Sequence, residues 1–197
     1  MAEIKSTLDM VMERAARIGA ASKEDLNHEE ATKKGMRLAA GYLRGEEVSL
    51  QRALQEESDA NKRFVQQGIV QTMLRNIVLP RKTEQQELAA KAMHGLVEMV
   101  GQAGGELLQV FGEMKKIVDQ YLQHRDQLRD QLKAQFTQQM EMMQQSLAQQ
   151  TGVSMKLDPA QHPKFQEEWQ RIQTELDDQY GRALEHYKKL VEQHLAS

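Results

Sequence analysis

Any chemistry in this sequence has to be built from six histidines and twenty-nine carboxylates, because there is no cysteine to act as a thiolate ligand or nucleophile. A carboxylate-bridged di-iron bundle places Glu-x-x-His pairs on facing helices, and no glutamate stands three residues before a histidine. His186 and His194 are eight residues apart on one helical face, and His94 and Glu98 stand at i,i+4. Neither pair makes a set of three or four ligands. The glycines of Gly101, Gly104 and Gly105 lack the lysine and the preceding strand of a phosphate loop. The serines sit at caps and loops without a surrounding nucleophile motif. Carboxylate pairs such as Glu46–Glu47, Glu56–Glu57, Glu167–Glu168 and Asp177–Asp178 alternate with bases as solvated helix faces do. The expectation is no metal, no cofactor and no catalytic residue: a protein that is not an enzyme.

What remains are residues suited to contact. Met140, Met142 and Met143 form a methionine patch among glutamines, a surface that can adapt to varied partners or fill gaps at a bundle tip. Trp169, with Phe165 and Tyr180, has the helical spacing of a core before that of a binding platform. Arg125 interrupts an apolar stripe between Tyr121 and Leu128. A charge at such a seam requires a partner and often fixes register or oligomeric state; Glu57 and Asn61 hold comparable positions in an earlier helix.

The elements that must carry these residues are all helical. Proline occurs three times, at Pro80, Pro159 and Pro163, and Gln, Glu, Lys, Leu, Met and Ala dominate. Ser6 followed by Asp9 starts a helix over about 6–18, which Gly19 stops; Ser22 followed by Asp25 starts another over about 22–44, ending at Arg44–Gly45. A third helix is predicted over 46–79, closed by Pro80. Thr83 and Gln86 open a fourth over 83–149. Its apolar stripe passes from Leu88 to Leu147 in sixteen steps over 59 residues, about 3.7 per step. Within it Leu107, Phe111, Met114, Val118, Tyr121, Arg125, Leu128 and Leu132 keep a 4-3-4-3 spacing, the seam of a coiled coil. The weak point is Gly101–Gly105, where the glycines either break the helix or thin its surface for a close neighbour. After a loop from Thr151, Asp158 and Pro159 begin a last helix over 158–194, with a stripe of Phe165, Trp169, Ile172, Leu176, Tyr180, Ala183, Tyr187, Leu190 and His194.

Composition narrows the partners. The net charge of -3 is evenly spread: residues 1–80 hold 12 basic and 12 acidic side chains, 81–150 hold 8 and 9, and 151–197 hold 6 and 8. No basic face suited to nucleic acid results. No apolar run reaches the roughly 18 residues of a membrane span, and charges interrupt the opening segment where a secretory signal needs an apolar core. A cytoplasmic setting is expected.

The opening "EIKSTLDMVMER" resembles the start of an uncharacterised family of small bacterial all-helical proteins. That resemblance implies a bacterial cytoplasmic protein and carries no catalytic residue.

The expected architecture is a single all-α module, an elongated antiparallel bundle in which two coiled-coil-like hairpins share one very long helix. Two-helix layers leave apolar surface uncovered, so a homodimer is expected to complete a four-helix core. The expected role is a non-enzymatic interaction or scaffold protein acting through helix–helix assembly. The alternative is a holdase-type chaperone or adaptor that grips a protein client with its methionine- and glutamine-rich helix tips.

Overall fold

The computed structural model describes residues 7–101, 105–151 and 158–196, with the side chains of 12, 24–101, 105–144 and 158–195. The protein is all-α, with six α-helices and no strand among the described residues. They are α1 (Thr7–Arg44), α2 (Leu50–Gln55), α3 (Asp59–Asn76), α4 (Thr83–Val100), α5 (Gly105–Thr151) and α6 (Pro163–Ala196). A 3-10 turn, Pro159–Gln161, precedes α6.

Four element boundaries differ from those the sequence suggests. Gly19 does not stop a helix: α1 runs through it to Arg44. One glycine followed by Ala20 and Ala21 costs only about 1 kcal/mol, and no left-handed cap is required there. The stop lies at Gly45, with φ 90°. Gly45 N–H donates to the Tyr42 carbonyl (3.0 Å) and Glu46 N–H to the Gly41 carbonyl (3.1 Å), the paired bonds of a Schellman ending.

The helix expected over 46–79 is two helices. Ser49 caps α2 by accepting from Arg52 N–H, and the extended Ser58 starts α3 afresh with Asp59 in its first turn. α3 ends at Asn76, and Ile77 is already extended ahead of Pro80.

The very long helix expected over 83–149 breaks after α4. Gly101 adopts φ 61°, a left-handed conformation that ends a helix. Gly104, the other suspected break point, lies outside the described residues, and α5 starts afresh at Gly105. The last helix begins at Pro163, because Asp158 caps the short 3-10 turn by accepting from Ala160 N–H.

The chain forms two compact units. The first comprises Met1–Ile77, Lys91–Leu107 and Glu192–Ser197. Its centre is the crossing of α1 and α3, where Gly35 lies against the Val65 carbonyl and Gly68 against the Thr32 carbonyl. Only glycine permits that approach: a Cβ at either position would collide with backbone oxygen. Ala31 and Ala39 extend the close contact along α1, and Val65, Ile69, Met73 and Leu74 along α3. Leu50 and Leu54 of α2 and Ala92, Leu96 and Met99 of α4 close the core. Gly95 lets α4 approach, with Met73 Cε and Tyr42 Cε1 each 2.9 Å from where its Cβ would stand.

The second unit comprises Val78–Ala90 and Leu108–Val191. Here α5 and α6 run antiparallel: Tyr121 packs edge-on against Tyr180 (5.6 Å between ring centroids) and Phe136 against Phe165 (5.5 Å). Moving up α5 is thus moving down α6. Phe111, Met114, Val118, Tyr121 and Leu132 are buried on α5, as are Phe165, Leu176, Leu184 and Val191 on α6. Leu184 and Val191 replace Ala183 and Leu190 of the expected stripe. Residues 78–90 add a third wall: Leu79 reaches Gly181, and Pro80 and Ala89 are buried.

Candidate interaction site

The side chains that the sequence marks on α5 and α6 fall into three groups. Leu107, in the first unit, is buried there. Phe111, Met114, Val118, Tyr121 and Leu132 form the inner face of α5 in the second unit. Leu128, Met140 and Trp169 are half-buried, and Met143 stands 63% exposed beside Met142 at 59%. Leu147 lies in α5, but its side chain is outside those described.

Arg125 is the polar member of this face. Its guanidinium donates to the Arg81 carbonyl (2.8 Å) and pairs with Asp126 (3.0 Å), and its side chain is 14% exposed. Glu57, the partner considered from the sequence, pairs instead with Lys34. Beside Arg125, the fully buried Tyr121 donates its hydroxyl proton to Asp177 Oδ1 at 2.5 Å, and Arg81 approaches the other oxygen at 3.5 Å. Burial, then the bond to Asp177 and that carboxylate's charge, push the Tyr121 hydroxyl from its ordinary 10.0 up to about 12. It is therefore a neutral donor at physiological pH. The Tyr180 hydroxyl meets His124 Nδ1 at 3.4 Å, and Gln86 donates to Asp119 at 2.7 Å. Asp119 is held below its usual value: burial opposes this, but bonds from Lys115 and Gln86 and the charge of Lys115 outweigh it.

These bonds tie together residues 78–90, α5 and α6 at one level. They position helices and bring no reactive group to a cleft. Past Arg125, the ring contacts of α5 are with α6 and with the turn that precedes it. Arg129 lies over the Trp169 ring (5.9 Å), and Phe136 meets Phe165 and His162. Among the described residues this stretch is two helices thick. A groove of about 450 Å³ lies beside it, lined by Leu132, Gln135, Phe136, Gln139, Lys164, Glu167 and Glu168. Another, of about 350 Å³, is lined by Asp126, Arg129, Asp130, Lys133, Ala160 and Phe165. Leu128, Phe136, Trp169 and Ile172 stay half-exposed along it.

The first unit holds a polar cluster of which the sequence singled out only His94 and Glu98. The Tyr42 hydroxyl meets His94 Nδ1 at 2.8 Å, Ser49 donates to Glu98 (3.3 Å), and Lys91 stands over the Tyr42 ring (5.9 Å). Burial first, then the Glu98 charge, raise the Tyr42 hydroxyl above its ordinary value. His94 and Glu98 do share a face, and that spacing was the available signal; their partner, Tyr42, is 52 residues from His94. His194 pairs with Glu106 (3.2 Å), while the exposed His186 packs edge-on against Tyr187 (5.6 Å). Among the described residues no three His, Asp or Glu side chains converge as a metal site requires, and no helix is long and apolar enough to cross a membrane.

The chain is a member of a family of unknown function (DUF6657), whose model matches residues 51–193. The match runs from α2 almost to the end of α6 and leaves α1, the partner of α3, outside it. Comparison with curated proteins and with solved structures returned no match.

Proposed function

We propose that this is a non-enzymatic interaction protein that works through helix–helix assembly, with a homodimer as its basic state. The observation that carries this reading is the α5–α6 extension beyond Arg125. Two helices there leave Leu128, Phe136, Trp169 and Ile172 half in water between open grooves. A layer two helices thick buries its apolar residues fully only against a further layer, and an isologous second copy is the commonest way to supply one. The polar groups support the same reading, since Tyr121, Asp177, Arg81 and Arg125 use their hydrogen bonds on one another. On the resemblance of the opening segment, we further propose a bacterial cytoplasmic setting. Sedimentation equilibrium at tens of micromolar tests the dimer, the expected mass being twice 22.6 kDa. A mass of 22.6 kDa across that range would refute it.

A second reading, an adaptor or holdase that binds a protein client, is favoured by one observation. Met142 and Met143 project into solvent near the far end of α5, an adaptable apolar surface. Met142→Lys with Met143→Lys would abolish suppression of client aggregation on this reading and leave the dimer intact.

A further inference from the structure

We propose that a second copy of this chain docks antiparallel along the outer stripe of α5, with the two-fold axis passing between Arg129 and Asp130. This rests on the homodimer reading above and names its surface. Asp126, Arg129, Asp130 and Lys133 are all exposed and line one groove. The order of their charges is its own complement when reversed. A two-fold axis between Arg129 and Asp130 sets Asp126 opposite Lys133 and Arg129 opposite Asp130, each pairing made twice; no other partner chemistry is needed to match this stripe.

The charges have uses within the chain that leave them free to face a partner. Asp126 receives Arg125, and Arg129 lies over the Trp169 ring. Asp130 and Lys133 take part in no ion pair among the described residues. Exposed ion pairs contribute little strength each, but they choose orientation, because the wrong register sets like charges together. Apolar contact comes from the same face of α5. Half-buried Leu122 stands one turn before Asp126, and half-buried Met140 two turns beyond Lys133. In the antiparallel register Leu122 of one copy falls beside Thr137 and Met140 of the other.

The test is a charge swap in the full chain. One variant carries Asp126→Lys and Asp130→Lys, the other Arg129→Glu and Lys133→Glu. Circular dichroism should show wild-type helicity for both, since all four side chains point to solvent. Each variant alone should sediment as a monomer while the wild type is a dimer, and an equimolar mixture should restore a dimer of mixed composition by native mass spectrometry. Should a double variant fold poorly, Lys133→Glu alone should weaken the wild-type dimer at least about tenfold. A wild-type dimer whose charge-swapped variants also dimerise on their own would overturn the assignment of this surface. A monomeric wild type would instead overturn the homodimer reading on which it rests.

Discussion

Gly35 of α1 and Gly68 of α3 stand across from each other where the two helices cross, each lying against a carbonyl oxygen of the other helix. The Val65 carbonyl occupies the space a side chain at position 35 would need, and the Thr32 carbonyl the space at 68. Helices usually pack 8–10 Å apart because side chains separate them. Here backbone meets backbone, and the reciprocal glycines set both the distance and the register of the crossing. Around it the His28 ring stacks on Phe64 at 3.8 Å.

The glycines of the chain should therefore respond to alanine in opposite directions. Gly35→Ala and Gly68→Ala force backbone apart and should cost about 3 kcal/mol, the upper end of overpacking. Gly112→Ala, with nothing within 4 Å of the new methyl, should instead stabilise by up to about 1 kcal/mol through helix propensity. Urea denaturation of the three variants checks this, and a neutral Gly68→Ala would contradict the crossing.

Tyr121 should make stability pH-dependent in the alkaline range. Its hydroxyl titrates near 12 in the folded chain and near 10.0 unfolded, so the proton is held more tightly by the native state. The contribution, a few kcal/mol for a shift of that size, is fully present below pH 10 and disappears as pH rises toward 12. Tyr121→Phe lacks this term. The stability gap between wild type and Tyr121→Phe should narrow across that window, as measured by urea titration at stepped pH. A constant gap would mean that Tyr121 does not hold its proton against Asp177.

Truncations on α5 should separate a fully buried position from a half-buried one. Leu132→Ala, at 8% exposure, should cost about 2–5 kcal/mol as a buried leucine truncation. Leu128→Ala, at the half-buried neighbouring position, should cost about half as much within one chain, scaling with the area it removes from water. Because Leu128 lies on the face of α5 turned away from the Asp126–Lys133 stripe, its effect should be the same at high and low protein concentration. Thermal melts at two concentrations decide the matter.

Gly101→Ala should cost about 1–2 kcal/mol, because alanine must adopt the left-handed φ of 61° to keep α4 and α5 separate. Gly101→Asn should recover part of that loss. Equal stability for both variants would show that the break does not depend on this backbone conformation.

The helical class was legible because it is written locally: scarce proline, strong helix formers and apolar residues recurring at helical spacing. The inner face of α5 was legible for the same reason, from Phe111 to Tyr121. What failed were features decided across the chain. Ser58–Asp59 is a helix start, but the apolar stripe runs on through Glu57 and Asn61 and masks it. Gly105, one of the glycines read as breaking the helix or thinning its surface, faces open space, whereas the closest approach uses Gly35 and Gly68. No periodicity marks a glycine whose need arises from another helix's backbone. Asp177 read as half of a solvated acidic pair; only the antiparallel register of α5 and α6 makes it the acceptor for Tyr121. Arg125 did announce a partner, but apart from the adjacent Asp126 that partner is the Arg81 backbone carbonyl, which no side-chain pattern encodes.

The interleaving of the two units bears on how the chain is made. Neither unit is contiguous: the first draws on Met1–Ile77, Lys91–Leu107 and Glu192–Ser197, with the second's segments threaded between them. During synthesis α1 and α3 are complete once residue 77 has been added and can begin their glycine crossing at once. The core around them waits for Ala92 and Leu96, and its last piece follows only after Val191. A ribosome thus delivers the first unit in three instalments, and between the second and third it delivers almost the whole of the other unit. No single cut in the polypeptide yields either unit entire, so limited proteolysis should convert intact chain to small fragments without a stable half accumulating.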